Sequence, residues 1–223
     1  FSLQYWDFGL ITTIEKQPNL YSKFTTINNM NVKELYQVVN KLCPFEDAFE
    51  DDTKIDLYNF MSELDKCSTS KDILTTDAGS NYYVGGQVYT FEQNQREITS
   101  GAYAAMGLSI PLAIGAAVAM PKKRILAVTG DGSLELNIQE LKTMSYYNFN
   151  IKLFVINNGG YVSMRNWQDK FFEGRRIGSD DNTGAEMLNL NAVARAFDLR
   201  YECISDIKNL KKDIKRIMNI PGS

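Results

Sequence analysis

Apolar residues recur along this chain in two rhythms. Short apolar-rich runs at 124–129 and 151–156 predict strands, as do the segments 73–77 and 200–205, with a further short strand at 97–100. Between them the spacing lengthens. Ile55, Leu57, Phe60, Met61 and Leu64 recur at helical intervals up to Cys67. Further helices are predicted over 31–42, 111–120, 134–147, 186–198 and 206–218, and Pro111 falls in the first turn of its helix, where a missing N–H costs nothing. Strand and helix alternate strictly from residue 97 onward. That order predicts an α/β fold, a doubly wound parallel sheet with helices on both faces. Residues 1–45 have mixed patterning, and the acidic run from Glu46 to Asp52 reads as a linker or exposed loop. The expected division is therefore a 1–45 segment and a 46–223 domain.

Composition narrows the function classes. With 223 residues, 44% hydrophobic and 23% charged, the chain suits one large globular domain. A net charge of −3 offers no basic surface for nucleic acid. There is no histidine, which excludes His-based triads and His-ligated zinc within the chain. Cys43, Cys67 and Cys203 are isolated and form no metal pattern, as expected of a reducing, cytoplasmic setting. The uncharged stretch 98–120 is interrupted by serines, glycines and Pro111, so it predicts a buried helix and no membrane span.

The chemistry concentrates where strands end. Gly130-Asp131-Gly132 closes one predicted strand, and Asn157-Asn158-Gly159-Gly160 closes the next, with 24 residues from Ser133 to Ile156 between them. That interval holds one helical crossover and one strand, so Asp131 and Asn158 reach the same sheet edge. A carboxylate and an amide oxygen there make a hard-oxygen site suited to Mg²⁺, and the glycines let a phosphate approach the backbone. Gly132 and Ser133 open the next helix, whose first amides suit an anion. Ala78, Gly79, Ser80 and Asn81 form the turn after strand 73–77, facing the same crevice. A blander reading makes Asp131 a helix cap and Met106 plain core. Arg165 and the pair Arg175-Arg176 suit a carboxylate or phosphate, although the pair reads more simply as a solvated charged loop. No Gly-x-Gly-x-x-Gly follows the first strand, which argues against a nicotinamide-binding domain.

The ordered set Gly130-Asp131-Gly132 and Asn157-Asn158 resembles the thiamine-diphosphate motif. Gly101-Ala-Tyr-Ala-Ala-Met-Gly107, Ser133-Leu-Glu-Leu-Asn-Ile-Gln-Glu-Leu141 and Trp167-Gln-Asp-Lys-Phe-Phe172 resemble stretches of acetolactate synthase large catalytic subunits, in order. The resemblance covers residues 55–204 and implies the thiamine-diphosphate-binding fold. It implies Mg²⁺ held by Asp131, Asn158 and the Gly160 carbonyl, and diphosphate held by Ala78, Gly79, Ser80, Asn81, Gly132 and Ser133. Met106 would wedge beneath the cofactor and bend it. Ala104 would lie beside its aminopyrimidine, where the family commonly has glycine, and Trp167 would shape the substrate pocket. The implied activity is decarboxylation of a 2-oxo acid and ligation of the product to a second carbonyl. The alternatives are a decarboxylase or lyase of sugar or surface-polysaccharide metabolism, or a non-catalytic cofactor-binding homologue. Tyr161-Val-Ser-Met-Arg165 departs from the family pattern, which leaves the substrate open. The family further implies a homodimer or homotetramer, FAD possible in a full-length protein but outside this domain, and residues 1–45 as the tail of a middle domain. It also implies a final strand after Pro221-Gly222. The activating glutamate would come from the pyrimidine-binding domain of a partner subunit, so residues 1–223 alone are expected to be inactive.

Overall fold

The computed structural model describes residues 55–222. Four strands form one parallel sheet in the order β2-β1-β3-β4, where β1 is Asp72–Thr75, β2 Arg96–Ile98, β3 Arg124–Gly130 and β4 Ile151–Ile156. The helices are α1 (Leu57–Cys67), α2 (Ser80–Val88), α3 (Ser109–Ala119), α4 (Asp131–Leu134), α5 (Glu140–Tyr147), α6 (Val162–Phe171), α7 (Leu190–Ala196) and α8 (Leu210–Met218).

Strand residues alternate between two cores, as a pleat requires. Leu74, Leu126, Val128 and Phe154 face α1, α2 and α8, meeting Phe60, Met61, Leu64, Val84, Leu210 and Ile214. Ile73, Ile125, Ala127 and Ile151 face the other way, onto Ile110, Ala113 and Ala117 of α3 and Leu141 and Met144 of α5. Both sheet faces are thus covered, which is why the central strands read as unbroken apolar runs. At the opposite end of the sheet from the site, Arg124 locks β1, β3 and α8 together. Its Nε and Nη2 donate to Asp72 Oδ1 and Oδ2, both at 2.8 Å, and its Nη1 donates to the Met218 carbonyl at 2.9 Å.

Several boundaries differ from the sequence expectation. The predicted strand at 200–205 is not a strand. Leu199–Ile204 and β4 line a common cavity of about 360 Å³, together with Leu190 and Val193, and the sheet ends at β4. The helix predicted over 186–198 is confined to α7, because the Asn189 side chain caps it by accepting from Ala192 N at 3.1 Å. The helix predicted over 134–147 begins earlier, at Asp131, tightens to a 3₁₀ turn over Glu135–Asn137, and resumes as α5. Two helices were not expected. α2 carries two glycines and little periodicity, and in α6 the apolar residues Met164, Trp167 and Phe171 form only a short, exposed stripe with no buried member. The predicted helix at 31–42, the acidic linker and the division at residue 45 lie outside the described residues. No helix among the described residues is long and apolar enough to cross a membrane.

Candidate metal and anion site

The chain leaves β1 outward to β2, then crosses back to β3 on the other side of β1. The carboxyl ends of β1 and β3 therefore flank a topological switch point, where loops diverge and a crevice opens. Asp131 follows β3 directly and is 3% exposed. Its Oδ1 accepts from Gly132 N at 2.8 Å, and its Oδ2 accepts from Asn158, Gly159 and Gly160 N at 3.1, 2.8 and 3.1 Å. Three consecutive N–H groups converging on one oxygen make a small anion nest. The loop after β4 is thereby folded around the Asp131 carboxylate. A Cβ at Gly160, whose φ is +111°, would stand 2.5 Å from the Ser179 carbonyl oxygen.

The Asn158 side chain completes the cluster. One terminal atom of its amide lies 3.3 Å from Asp131 Oδ1 and 2.9 Å from the Gly160 carbonyl oxygen. With nitrogen in that place, the amide donates to both. With oxygen there, three oxygens face one another, an arrangement that a cation must hold. Ligands 2.0–2.1 Å from Mg²⁺ and at right angles stand about 2.9 Å apart. The donor set thus fits Mg²⁺ in chemistry, and the 2.9 Å between the Asn158 amide and the Gly160 carbonyl matches one edge of such a shell. It carries one carboxylate, and no group of three His, Cys, Asp or Glu gathers anywhere among the described residues. A divalent ion here needs further anionic oxygens.

The β1 turn meets the same edge. Space in front of Gly130 is bounded by Asn81 Nδ2 and Ser133 Oγ, 3.8 and 4.0 Å from where a Cβ would sit. Gly79, at φ +63° and ψ −143°, lies against Ser163 of α6, whose Oγ would be 3.3 Å from its Cβ. Gly132 is covered by the Tyr161 ring, 2.5 Å from the position of a Cβ. α4 has only four residues, so it offers local N–H groups and little macrodipole.

Asp77 ties these loops together and carried no role in the sequence reading. It is wholly buried. Its Oδ2 accepts from Thr129 Oγ1 at 2.6 Å and from Gly107 N at 3.1 Å, and its Oδ1 accepts from Ala78 N at 2.7 Å. Burial pushes its carboxyl above the usual range, and those bonds, together with Asn81, pull it partly back. The turn bearing Met106 is held from both sides, by Asp77 and by Asn137 Nδ2, which donates to the Gly107 carbonyl at 3.1 Å. Met106 itself is 39% exposed.

Ala104 occupies the left-handed region at φ +43°, ψ +46°. An L-residue there costs about 1–2 kcal/mol, partly offset because glycine costs more to order. Ala104→Gly is therefore expected to raise stability by about 0.5–1 kcal/mol in denaturant unfolding; a loss of stability would mean that the methyl group makes a contact worth more than the strain.

The structure thus gathers Ala78, Gly79, Ser80, Asn81, Asp131, Gly132, Ser133, Asn158 and Gly160 at one sheet edge, with Ala104 and Met106 on a turn anchored to it. Trp167 stands apart from the oxygen cluster. It lies on α6 one turn beyond Ser163, is 60% exposed, and packs on Phe171 with ring centroids 4.6 Å apart. Arg176 is paired with Asp169, Nη2 to Oδ2 at 2.6 Å, as expected of a charged surface loop. Asp77, Thr129 and Tyr161 were given no place at the site from the sequence, and Arg165 was read there only as a receptor for a carboxylate or phosphate. Asp77 alone carried a signal, as the acidic end of a buried strand.

Fold and site define a class: a doubly wound α/β domain with an oxygen-lined, glycine-rich crevice for an anionic cofactor at its switch point. Residues 77–223 match the family model described as thiamine pyrophosphate enzyme, C-terminal TPP binding domain, and the chain belongs to that family. It is similar to the acetolactate synthase large subunit of Cyanidium caldarium, 34% identical over 152 residues, covering 68% of this chain and 26% of the relative. The corresponding subunit of Lactococcus lactis subsp. lactis is 34% identical over 145 residues, covering 65% and 25%. Acetolactate synthase 2, chloroplastic, of Zea mays is 29% identical over 163 residues, covering 71% and 26%. The chain spans about a quarter of the length of these relatives. It is a thiamine-diphosphate-binding domain of acetolactate-synthase-like type.

Proposed function

We propose that this chain supplies the diphosphate- and Mg²⁺-binding half of an active site that decarboxylates a 2-oxo acid and ligates the product to a second carbonyl. The observation that carries this reading is the placement of one Asn158 amide atom 3.3 Å from Asp131 Oδ1 and 2.9 Å from the Gly160 carbonyl oxygen. Asp131, Asn158 and Gly160 would hold the metal, and diphosphate oxygens would complete its shell. Ala78, Gly79, Ser80, Asn81, Gly132 and Ser133 line the approach for the diphosphate. Thiamine diphosphate, when bound, supplies a thiazolium carbon that adds to the 2-oxo acid and retains the electron pair left as CO₂ departs. Met106, on its doubly anchored turn, offers an apolar support that fixes the cofactor's bend, and the Ala104 carbonyl serves its aminopyrimidine. Their contribution is orientation. Trp167 is exposed where it can wall a substrate pocket. The activating glutamate is assigned to the pyrimidine-binding domain of a partner subunit, in a homodimer or homotetramer.

Product analysis of the intact protein tests the reaction class. Incubation with pyruvate, alone and with a second 2-oxo acid, is expected to yield acetohydroxy acids. Aldehyde alone would replace this reading with simple decarboxylation. Cofactor binding with no turnover of any 2-oxo acid would replace it with a non-catalytic role.

A further inference from the structure

Arg165, in the first turn of α6, spends its guanidinium on backbone. Nη1 donates to the Gly159 carbonyl at 2.6 Å and to the Ser179 carbonyl at 3.2 Å, and Nη2 donates to the Asn158 carbonyl at 2.9 Å. Three of its five N–H donors are thus committed to backbone, so its main contacts are structural rather than with the carboxylate or phosphate that its charge suggested. The loop Asn158-Gly159-Gly160 has three N–H groups and three carbonyls. All three N–H groups point to Asp131 Oδ2. Two carbonyls, those of Asn158 and Gly159, are held by Arg165. The third, at Gly160, accepts from Val162 N at 3.2 Å and still faces the Asn158 amide at 2.9 Å with its second lone pair.

We propose that Arg165 is a positioning residue for the metal loop: by drawing the Asn158 and Gly159 carbonyls to its own side, it leaves the Gly160 carbonyl as the backbone oxygen presented to the cation. This rests on the metal assignment made above. The planar fork matters, because one rigid group must reach three carbonyls on two loops, at Asn158, Gly159 and Ser179. A Gly-Gly pair with no such anchor can turn either peptide, bringing a competing carbonyl inward or taking the right one away. Mg²⁺ demands near-octahedral oxygens at about 2.0–2.1 Å, whereas Ca²⁺ accepts irregular shells at about 2.3–2.6 Å. Loss of the anchor should therefore be felt by Mg²⁺ far more than by Ca²⁺.

The test is calorimetric titration of Mg²⁺ and, separately, Ca²⁺ into the intact protein with saturating thiamine diphosphate, for wild type, Arg165→Met and Arg165→Lys. Arg165→Met is expected to weaken Mg²⁺ binding by about 10–100-fold, the range for groups that orient metal ligands. Ca²⁺ binding should fall by a much smaller factor, so that the preference between the two ions narrows. Arg165→Lys keeps the charge without the fork, guards against a variant that fails to fold, and should show the same narrowing to a lesser degree. Equal weakening of both ions, or unchanged Mg²⁺ affinity, overturns the inference while leaving the metal assignment intact. A wild-type protein that binds neither ion in the presence of the cofactor overturns both.

Discussion

Replacing Asp131 by alanine is expected to remove metal-dependent cofactor binding and to destabilise the domain at the same time. The two losses share one cause. The Asp131 carboxylate accepts four backbone N–H bonds, from Gly132, Asn158, Gly159 and Gly160, while sitting 3% exposed. Each buried donor left without an acceptor costs about 1–3 kcal/mol, and water entering the new space will satisfy some of them. A net loss of roughly 3 kcal/mol in denaturant unfolding is the expected result. Affinity for thiamine diphosphate in the presence of Mg²⁺ should fall by at least about 100-fold, because even indirect metal partners cost 10–100-fold. Asp131→Asn separates the effects. It keeps the volume and one acceptor oxygen but no charge, so the fold should survive better than the metal response. Unchanged Mg²⁺-dependent affinity in Asp131→Asn would reduce the residue to a loop clamp.

Gly160→Ala should be the most damaging glycine substitution in the loop. Its φ of +111° is strained for any L-residue, and its Cβ would stand 2.5 Å from the Ser179 carbonyl and 3.3 Å from Asp180 Cα. Both neighbours are backbone, so neither can swing aside. Strain and overpacking each cost about 1–3 kcal/mol, giving roughly 3 kcal/mol or more together. The carbonyl proposed to face the metal must move as well. Gly159→Ala is the control: its φ is +72°, but a Cβ there meets nothing within 4 Å. It should cost only the backbone strain, about 1 kcal/mol. Equal unfolding midpoints for the two variants would contradict the packing described for Gly160 and Ser179.

The sheet was legible because its strands are buried on both faces. Leu126 and Val128 serve one core and Ile125 and Ala127 the other, so β3 appears in the sequence as an unbroken apolar run. The segment 200–205, Arg200-Tyr-Glu-Cys-Ile-Ser205, interleaves polar and apolar residues and makes no ladder, and with β4 it lines a cavity instead. α6 shows a short stripe of Met164, Trp167 and Phe171, but it is exposed and interleaved with polar residues, so it does not stand out from a loop. At the site, Asp131 and Asn158 were legible because strand ends converge on one edge by topology. Asp77 was not, nor was the backbone-holding role of Arg165. Their partners are backbone groups on other loops, at Gly107, Asn158, Gly159 and Ser179, and main-chain hydrogen bonds leave no pattern of residue types. Ala104 shows both sides: its departure from glycine was evident in the sequence, and its positive φ only in the structure.

Calorimetric titration of the intact protein with thiamine diphosphate, with Mg²⁺ and then with the metal chelated away, tests the central claim most directly. The Asp131 carboxylate and the Gly160 carbonyl oppose a diphosphate unless a cation lies between them, so binding should be strong with Mg²⁺ and weaker by at least about 100-fold without it. Affinity independent of Mg²⁺, or no binding in either condition, would contradict the site assigned to Asp131, Asn158 and Gly160.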